Sequence, residues 1–295
     1  MATRNAAFCS LAIGLLMGCA SAEREDTSPA APLSDEPTPM TTPWQPDAST
    51  AKIGDSLDYS DFDLVFEEPF DSLNVSDYGC ESDWIAHTPW GGDFGDAWFM
   101  DPTPIFPFTI EEGVLRIEAS RQNTDKWRSG LLSSEDTCGG GKSFGFGYYE
   151  AKMKLPYGPG TWPAFWLVGL DRSEYTAEID VIEYIGHLNE QFSTNVIIHA
   201  HKDHIEPFGL QLFHEVPADS LNQEFHTYGV ELLPEEVVFY FDGVAIRRQA
   251  IDERFHMRYG ILVNLAMGSG YPTDDALDPS FMYVDYIRVY QRAKP

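Results

Sequence analysis

From Asp61 onward the hydrophobic positions alternate or run in short blocks, and almost nowhere do they recur with helical spacing. The segments VLRIEAS (114–120), FGYYEAKMKLP (146–156), NVIIHAH (195–201), TYGVELL (227–233), VVFYFDG (237–243), ILVNLAM (261–267) and MYVDYIRVYQ (282–291) are β-branched or aromatic. Gly, Pro, Asn or Asp bound them, which is the pattern of strands. No internal repeat is visible. So many short strands in one block of about 230 residues predict an all-β sandwich or barrel. Several strands have two unlike faces. In NVIIHAH, Val196, Ile198 and Ala200 share one side, and Asn195, Ile197, His199 and His201 share the other. One side suits a core between sheets and the other a polar groove.

The segment AEIDVIEYIG (177–186) breaks the alternation in an informative way. Glu178 and Asp180 share a strand face, but Glu183 falls on the opposite one. The flanking Ile179, Val181, Ile182 and Ile185 are too apolar for an exposed strand, and acids buried beside them are costly unless paired or used. A β-bulge at Val181-Ile182 adds one residue and returns Glu183 to the face of Glu178 and Asp180.

The ends and the charge narrow the setting. Arg4 followed by the apolar run LAIGLLM (11–17) reads as a signal peptide over 1–18, too short to span a bilayer as a mature helix. Leu16-Met17-Gly18-Cys19 resembles the lipobox of bacterial lipoproteins, which implies acylation of Cys19. An exported protein is expected, either held at the outer membrane by that lipid or secreted. Residues 19–58 are rich in Pro, Ser, Thr and acids and predict a tether, with the folded domain over 59–295. The formal net charge of -28 argues against nucleic acid and against a membrane surface bound by charge, because both need a basic footprint. Of four cysteines only Cys80 and Cys138 fall in the folded part, and export permits a disulfide between them. No CxxC, HExxH, P-loop, GxSxG or GxGxxG pattern is present.

Paired carboxyls flanking a sugar are the tools of glycoside hydrolysis, and crowding them raises the pKa of at least one. Here EIDVIE (178–183) resembles the E-x-D-x-x-E signature of glycoside hydrolase family 16, in its bulged laminarinase and agarase variant. GTWPAFWL (160–167), Trp127-Arg128-Ser129-Gly130, FHTYGVELLPEEVVFYFDG (225–243), ILVNLAMGSG (261–270) and VDYIRVYQ (284–291) extend the resemblance over about 61–292. It implies a β-jelly-roll sandwich of two antiparallel sheets with a concave substrate groove. It makes Glu178 the nucleophile, Glu183 the acid/base and Asp180 the residue that orients Glu178, with retention of configuration. Trp162, Trp166, Trp127, Trp90, His199 and Asn264 are the candidate substrate-binding residues. Trp84, His87 and Trp98 belong with Trp90 to an aromatic, Gly-rich loop. No cofactor is required, although many members carry a structural calcium, for which Glu68 and Asp285 are the nearest candidates. Leu232 and Tyr271 stand where a Trp is usual, and Pro69 interrupts the expected acidic-Phe pair.

The expected activity is that of a monomeric, retaining endo-β-glycanase on a neutral polysaccharide, foremost a β-1,3- or mixed β-1,3/1,4-glucan. An agarase-like β-galactan hydrolase, a transglycosylase and a lectin-like binding jelly roll are the alternatives. The three acids argue against the lectin, which has no use for convergent carboxylates.

Overall fold

The computed structural model describes residues 52–139 and 141–293. The expected signal peptide, Cys19 and most of the expected tether lie outside them. In chain order the strands are β1 (Phe62–Glu68), β2 (Val75–Ser76), β3 (Trp84–Ile85), β4 (Ala97–Phe99), β5 (Phe108–Glu111), β6 (Val114–Ala119), β7 (Trp127–Ser129), β8 (Leu131–Ser133) and β9 (Gly147–Lys154). Then come β10 (Thr161–Gly169), β11 (Tyr175–Glu183), β12 (Gln191–Ala200), β13 (Phe208–Glu215), β14 (His226–Leu232), β15 (Glu236–Phe241), β16 (Val244–Ala250), β17 (Tyr259–Met267) and β18 (Ser280–Arg292). One turn of helix, α1 (Ser220–Gln223), precedes β14.

Two eight-stranded sheets form from these elements. The first runs β16-β15-β14-β9-β18-β6-β5, with β1 added along β18. The second runs β13-β12-β11-β10-β17-β8-β3-β2. All pairs are antiparallel except β2–β3 in the second sheet and the small separate pair β4–β7. Every segment expected to be a strand is one. β13 was not expected: its sequence FGLQLFHE has no buried residue, so no in–out alternation marks it.

One core fills the space between the sheets. Leu115 and Ile117 of β6 and Tyr149, Ala151 and Met153 of β9 join Phe165 and Leu167 of β10, Ile179 of β11, and Val196 and Ile198 of β12. Each large side chain so buried is worth about 1.5–3 kcal/mol. That load fixes which face of each strand turns inward, and so which residues the second sheet presents on its other side.

Three further ties hold the periphery. Arg247 of β16 is buried and reaches from the first sheet to the second. It donates to the carbonyl of Thr194 at 2.7 Å, to the Thr194 hydroxyl at 2.9 Å and to the carbonyl of Leu210 at 3.1 Å. Cys80 and Cys138 are joined as a disulfide. The third tie corrects the domain boundary. Residues 52–58, expected in the tether, pair with β16: Gly54 N–H donates to Ala245 O at 2.8 Å, Ala245 N–H to Asp55 O at 2.9 Å, and Leu57 N–H to Gly243 O at 2.7 Å. Just beyond, the Tyr59 hydroxyl donates to buried Glu150, which also accepts from Tyr148 at 2.8 Å and Tyr286 at 2.9 Å.

The disulfide closes a sequence separation of 58 residues. Chain entropy then assigns it about 4 kcal/mol. A Cys80→Ser, Cys138→Ser variant is expected to unfold at lower denaturant by that margin; unchanged unfolding would leave the bond without a stabilising role.

Candidate active site

The site is built on β11. Against β12, Asp180 pairs with Asn195 and Glu183 with Ser193, so Val181 and Ile182 together oppose Thr194 alone. Against β10, Phe165 pairs with Ile182 and Trp166 with Asp180, which skips Val181. This is the expected bulge. Both Val181 and Ile182 are buried in the core, alongside Ala177 and Ile179. The extra residue lets the strand keep two successive apolar side chains inside while Glu178, Asp180 and Glu183 all face the other way.

The three carboxyls are differently housed. Asp180 is 8% exposed and hydrogen-bonds Glu178 and Asn195. Burial, and then the charges of Glu178 and Glu183, push it well above the usual carboxylate range. That shift favours its neutral form. Glu183 is also raised, first by burial. Opposing that rise are its donors: Trp162 Nε1 at 2.8 Å on Oε1, and Asn195 Nδ2 at 3.0 Å and Ser193 Oγ at 3.2 Å on Oε2. Gln211 Nε2 lies 3.2 Å from Ser193 Oγ and 3.5 Å from Glu183 Oε2. Glu178 Oε2 hydrogen-bonds His199 Nε2 at 3.2 Å. That bond holds the imidazole above its ordinary pKa against the opposing effect of burial.

The expected binding residues divide into four groups. His199 and Trp162 contact the acids directly, and Trp162 does so as a hydrogen-bond donor to Glu183, a role its sequence context did not reveal. Trp166 and Asn264 face the same side but are covered. Trp166 is 6% exposed, with Phe94 and Trp90 each 6.1 Å from it edge-on. Its Nε1 donates to Asn264 Oδ1 at 2.8 Å, and Asn264 is fully buried. Asn264 thus holds Trp166 instead of meeting substrate. Trp90 is half exposed, under the guanidinium of Arg172 at 5.3 Å. Trp127 is the clear correction: it is 2% exposed in the main core, on β7 beside β4, and offers no face to a sugar.

Part of the aromatic loop packs over β10. Phe94 lies 5.5 Å from Trp162, and Gly95, at φ +69°, sits where a Cβ would meet Met267 O at 2.3 Å and the Trp162 ring at 3.1 Å. Only glycine permits both that φ and that approach. Trp98 is half exposed, whereas Trp84 is buried and donates to Glu68 Oε2 at 2.9 Å, and His87 bonds Asp101 at 2.8 Å. Glu68 also accepts from the Phe70 amide at 3.0 Å, and Asp285 pairs with Lys152 at 2.7 Å. Among the described residues no three His, Cys, Asp or Glu gather to hold a metal.

Sequence reading missed Ser193, Asn195 and Gln211 as partners of Glu183. Asn195 carried a signal, as a polar residue on the groove side of an apolar strand. Ser193 precedes the expected strand start, and Gln211 lies on the unexpected β13.

Raised carboxyls make a stability prediction. Asp180 has a folded pKa above its unfolded value of about 3.9, so its favourable contribution is complete below that value and is lost as pH rises through the folded pKa. Asn has the shape of Asp and no charge at any pH. Asp180→Asn is expected to raise the melting temperature at pH 8 by a few degrees, an effect of about 1 kcal/mol, and to lose that advantage near pH 3.5. A variant less stable than wild type at pH 8 would contradict the raised pKa of Asp180.

Comparison with known proteins agrees with this geometry. The sequence model of Glycosyl hydrolases family 16 matches residues 109–288. An endo-1,3-1,4-beta-glycanase of Rhizobium meliloti (strain 1021) is 32% identical over 80% of this chain and 53% of its own length. The chain thus spans about half of that relative. A beta-glucanase of Rhodothermus marinus is 26% identical over 78% of this chain and 85% of its own. Among solved structures, the laminarinase catalytic domain of Thermotoga maritima MSB8 superposes with a TM-score of 0.63 at 23% identity, over 79% of this chain and all of that one. The motif, the two-sheet sandwich and these matches together show that the chain belongs to glycosyl hydrolases family 16.

Proposed function

We propose that the chain is a retaining endo-acting β-glucanase that cleaves β-1,3- or mixed β-1,3/1,4-glucan. The observation that carries this reading is the bulge, which sets Glu178, Asp180 and Glu183 on one face. The names of the relatives, endo-1,3-1,4-beta-glycanase and beta-glucanase, support the substrate class.

In the first step Glu178 attacks the anomeric carbon while Glu183 gives its proton to the leaving oxygen. The bond from carbon to the leaving group breaks as the ester to Glu178 forms. Asp180, hydrogen-bonded to Glu178, orients that carboxyl. Once Glu178 is esterified its charge is gone, so Glu183 becomes more acidic and can hold a carboxylate. It then takes a proton from water, the water attacks the anomeric carbon, and Glu178 is released. The donors from Trp162, Asn195 and Ser193 stabilise Glu183 in that second role. We further read the protein as exported, and the Cys80–Cys138 bond supports this, because disulfides persist in oxidising compartments.

Two measurements test the mechanism. Glu178→Ser is expected to lose hydrolysis of laminarin and lichenan by at least about 10³-fold and still to couple an α-glycosyl fluoride to an acceptor. Loss of both reactions would remove Glu178 from the nucleophile role, and release of products from agarose alone would move the substrate to galactans. The alkaline limb of kcat/KM reports deprotonation of Glu183. Since Trp162 stabilises the carboxylate, Trp162→Phe is expected to move that limb to higher pH; a downward shift would contradict the assignment.

A further inference from the structure

Beyond the acids, the second sheet continues as one surface to its edge. Gln191, Ser193 and Asn195 of β12 stand directly opposite Glu215, Phe213 and Gln211 of β13. Directly opposed residues of an antiparallel pair point to the same side. Ser193 and Asn195 bond Glu183, so Phe213, Gln211, Gln191 and Glu215 share the face of the catalytic acids.

Two features of that surface have no part in the mechanism. The Phe213 ring is 43% exposed on a strand with no buried residue. Among the described residues no other ring packs on it. Next to it, one pair further along the strands, opens a cavity of about 410 Å³. Its walls include His187, Asn189, Glu190 and Gln191 from β12 and the turn before it, and Glu215 and Val216 from the end of β13. The volume falls in the range of small-molecule sites. The walls carry amides, carboxylates and an imidazole, with no Lys or Arg. Such walls exchange hydrogen bonds with neutral hydroxyls and repel anions.

We propose that Phe213 and this cavity form a saccharide subsite, in which a hexose of the bound glucan stacks on the Phe213 ring and a neutral hexosyl branch on it enters the cavity. The inference rests on the glucanase reading. A hexose offers an apolar C–H face to the ring and hydroxyls to the surrounding polar groups. Position supports the assignment. Ser193 touches Glu183, and Phe213 is one strand spacing of about 4.8 Å further out, so the stacked sugar is about one or two units from the bond that Glu183 protonates. Gln191 and Glu215 lie two residues along each strand from Ser193 and Phe213, which sets the cavity beside the path of the main chain and not on it. A branch is what can enter from there.

The test compares three substrates: a linear β-1,3-glucan, a β-1,3-glucan with β-1,6-linked glucosyl branches, and a short aryl β-glycoside that ends before Phe213. Phe213→Ala is expected to lower kcat/KM on both polymers by about tenfold and to leave the aryl glycoside within about twofold, since a stacked ring contributes on the order of one factor of ten. The pair Gln191→Ala, Glu215→Ala is expected to lower kcat/KM on the branched glucan several-fold relative to the linear one. Phe213 is exposed, and unchanged thermal unfolding of its variant confirms that the fold is intact. Equal effects of Phe213→Ala on polymers and aryl glycoside overturn the stacking role. Equal effects of the cavity pair on linear and branched chains overturn the branch pocket. Failure of the wild-type protein to cleave any glucan removes the activity reading and the subsite together, which separates that outcome from loss of the subsite alone.

Discussion

Three carboxyl groups on one face of one strand repel each other, and the protein that holds them must also keep that strand in its core. The bulge at Val181-Ile182 meets both demands. It turns two adjacent apolar side chains inward and three acids outward without breaking the pairing on either side. Burial and the neighbouring acids push Asp180 well above the usual carboxylate range, which favours its neutral form and so lessens that repulsion.

The remaining parts of the site follow from strand order. β10 supplies Trp162 to one side of Glu183, and β12 supplies Ser193 and Asn195 to the other. One half of the face is therefore aromatic, roofed by the loop that Gly95 lets approach, and the other half is polar. The polar half depends on β13, a strand with no core of its own. Arg247 compensates by binding the carbonyls of Thr194 and Leu210 from the opposite sheet, so a buried cation fixes the backbone that carries Gln211. Buried polar contacts of this kind specify position more than they add stability.

Much of this could be read from the sequence, because the large terms are periodic. Core-facing alternation located the main strands, and the phase slip in EIDVIE exposed the bulge before any coordinates. Where burial is one-sided, pattern and structure agree. The reading failed where burial is absent or concealed. β13 has no inward face and so no alternation. Trp127 has the aromatic character of a sugar platform, but its neighbours on β4 and its place in the core are set by long-range packing that no local pattern records. Asn264 is polar and on the right face, yet Trp166 covers it.

The pairing of residues 54–57 with β16 has a consequence for how the molecule survives in solution. β16 ends the first sheet, and an end strand with free N–H and C=O groups is a template on which a second chain can add. Gly54, Asp55 and Leu57 occupy those groups at Gly243 and Ala245. The stretch that leads into the domain therefore caps the start of that edge. A chain shortened to begin at the first core strand would keep Glu178, Asp180 and Glu183 and bare the backbone groups at Gly243 and Ala245 for pairing.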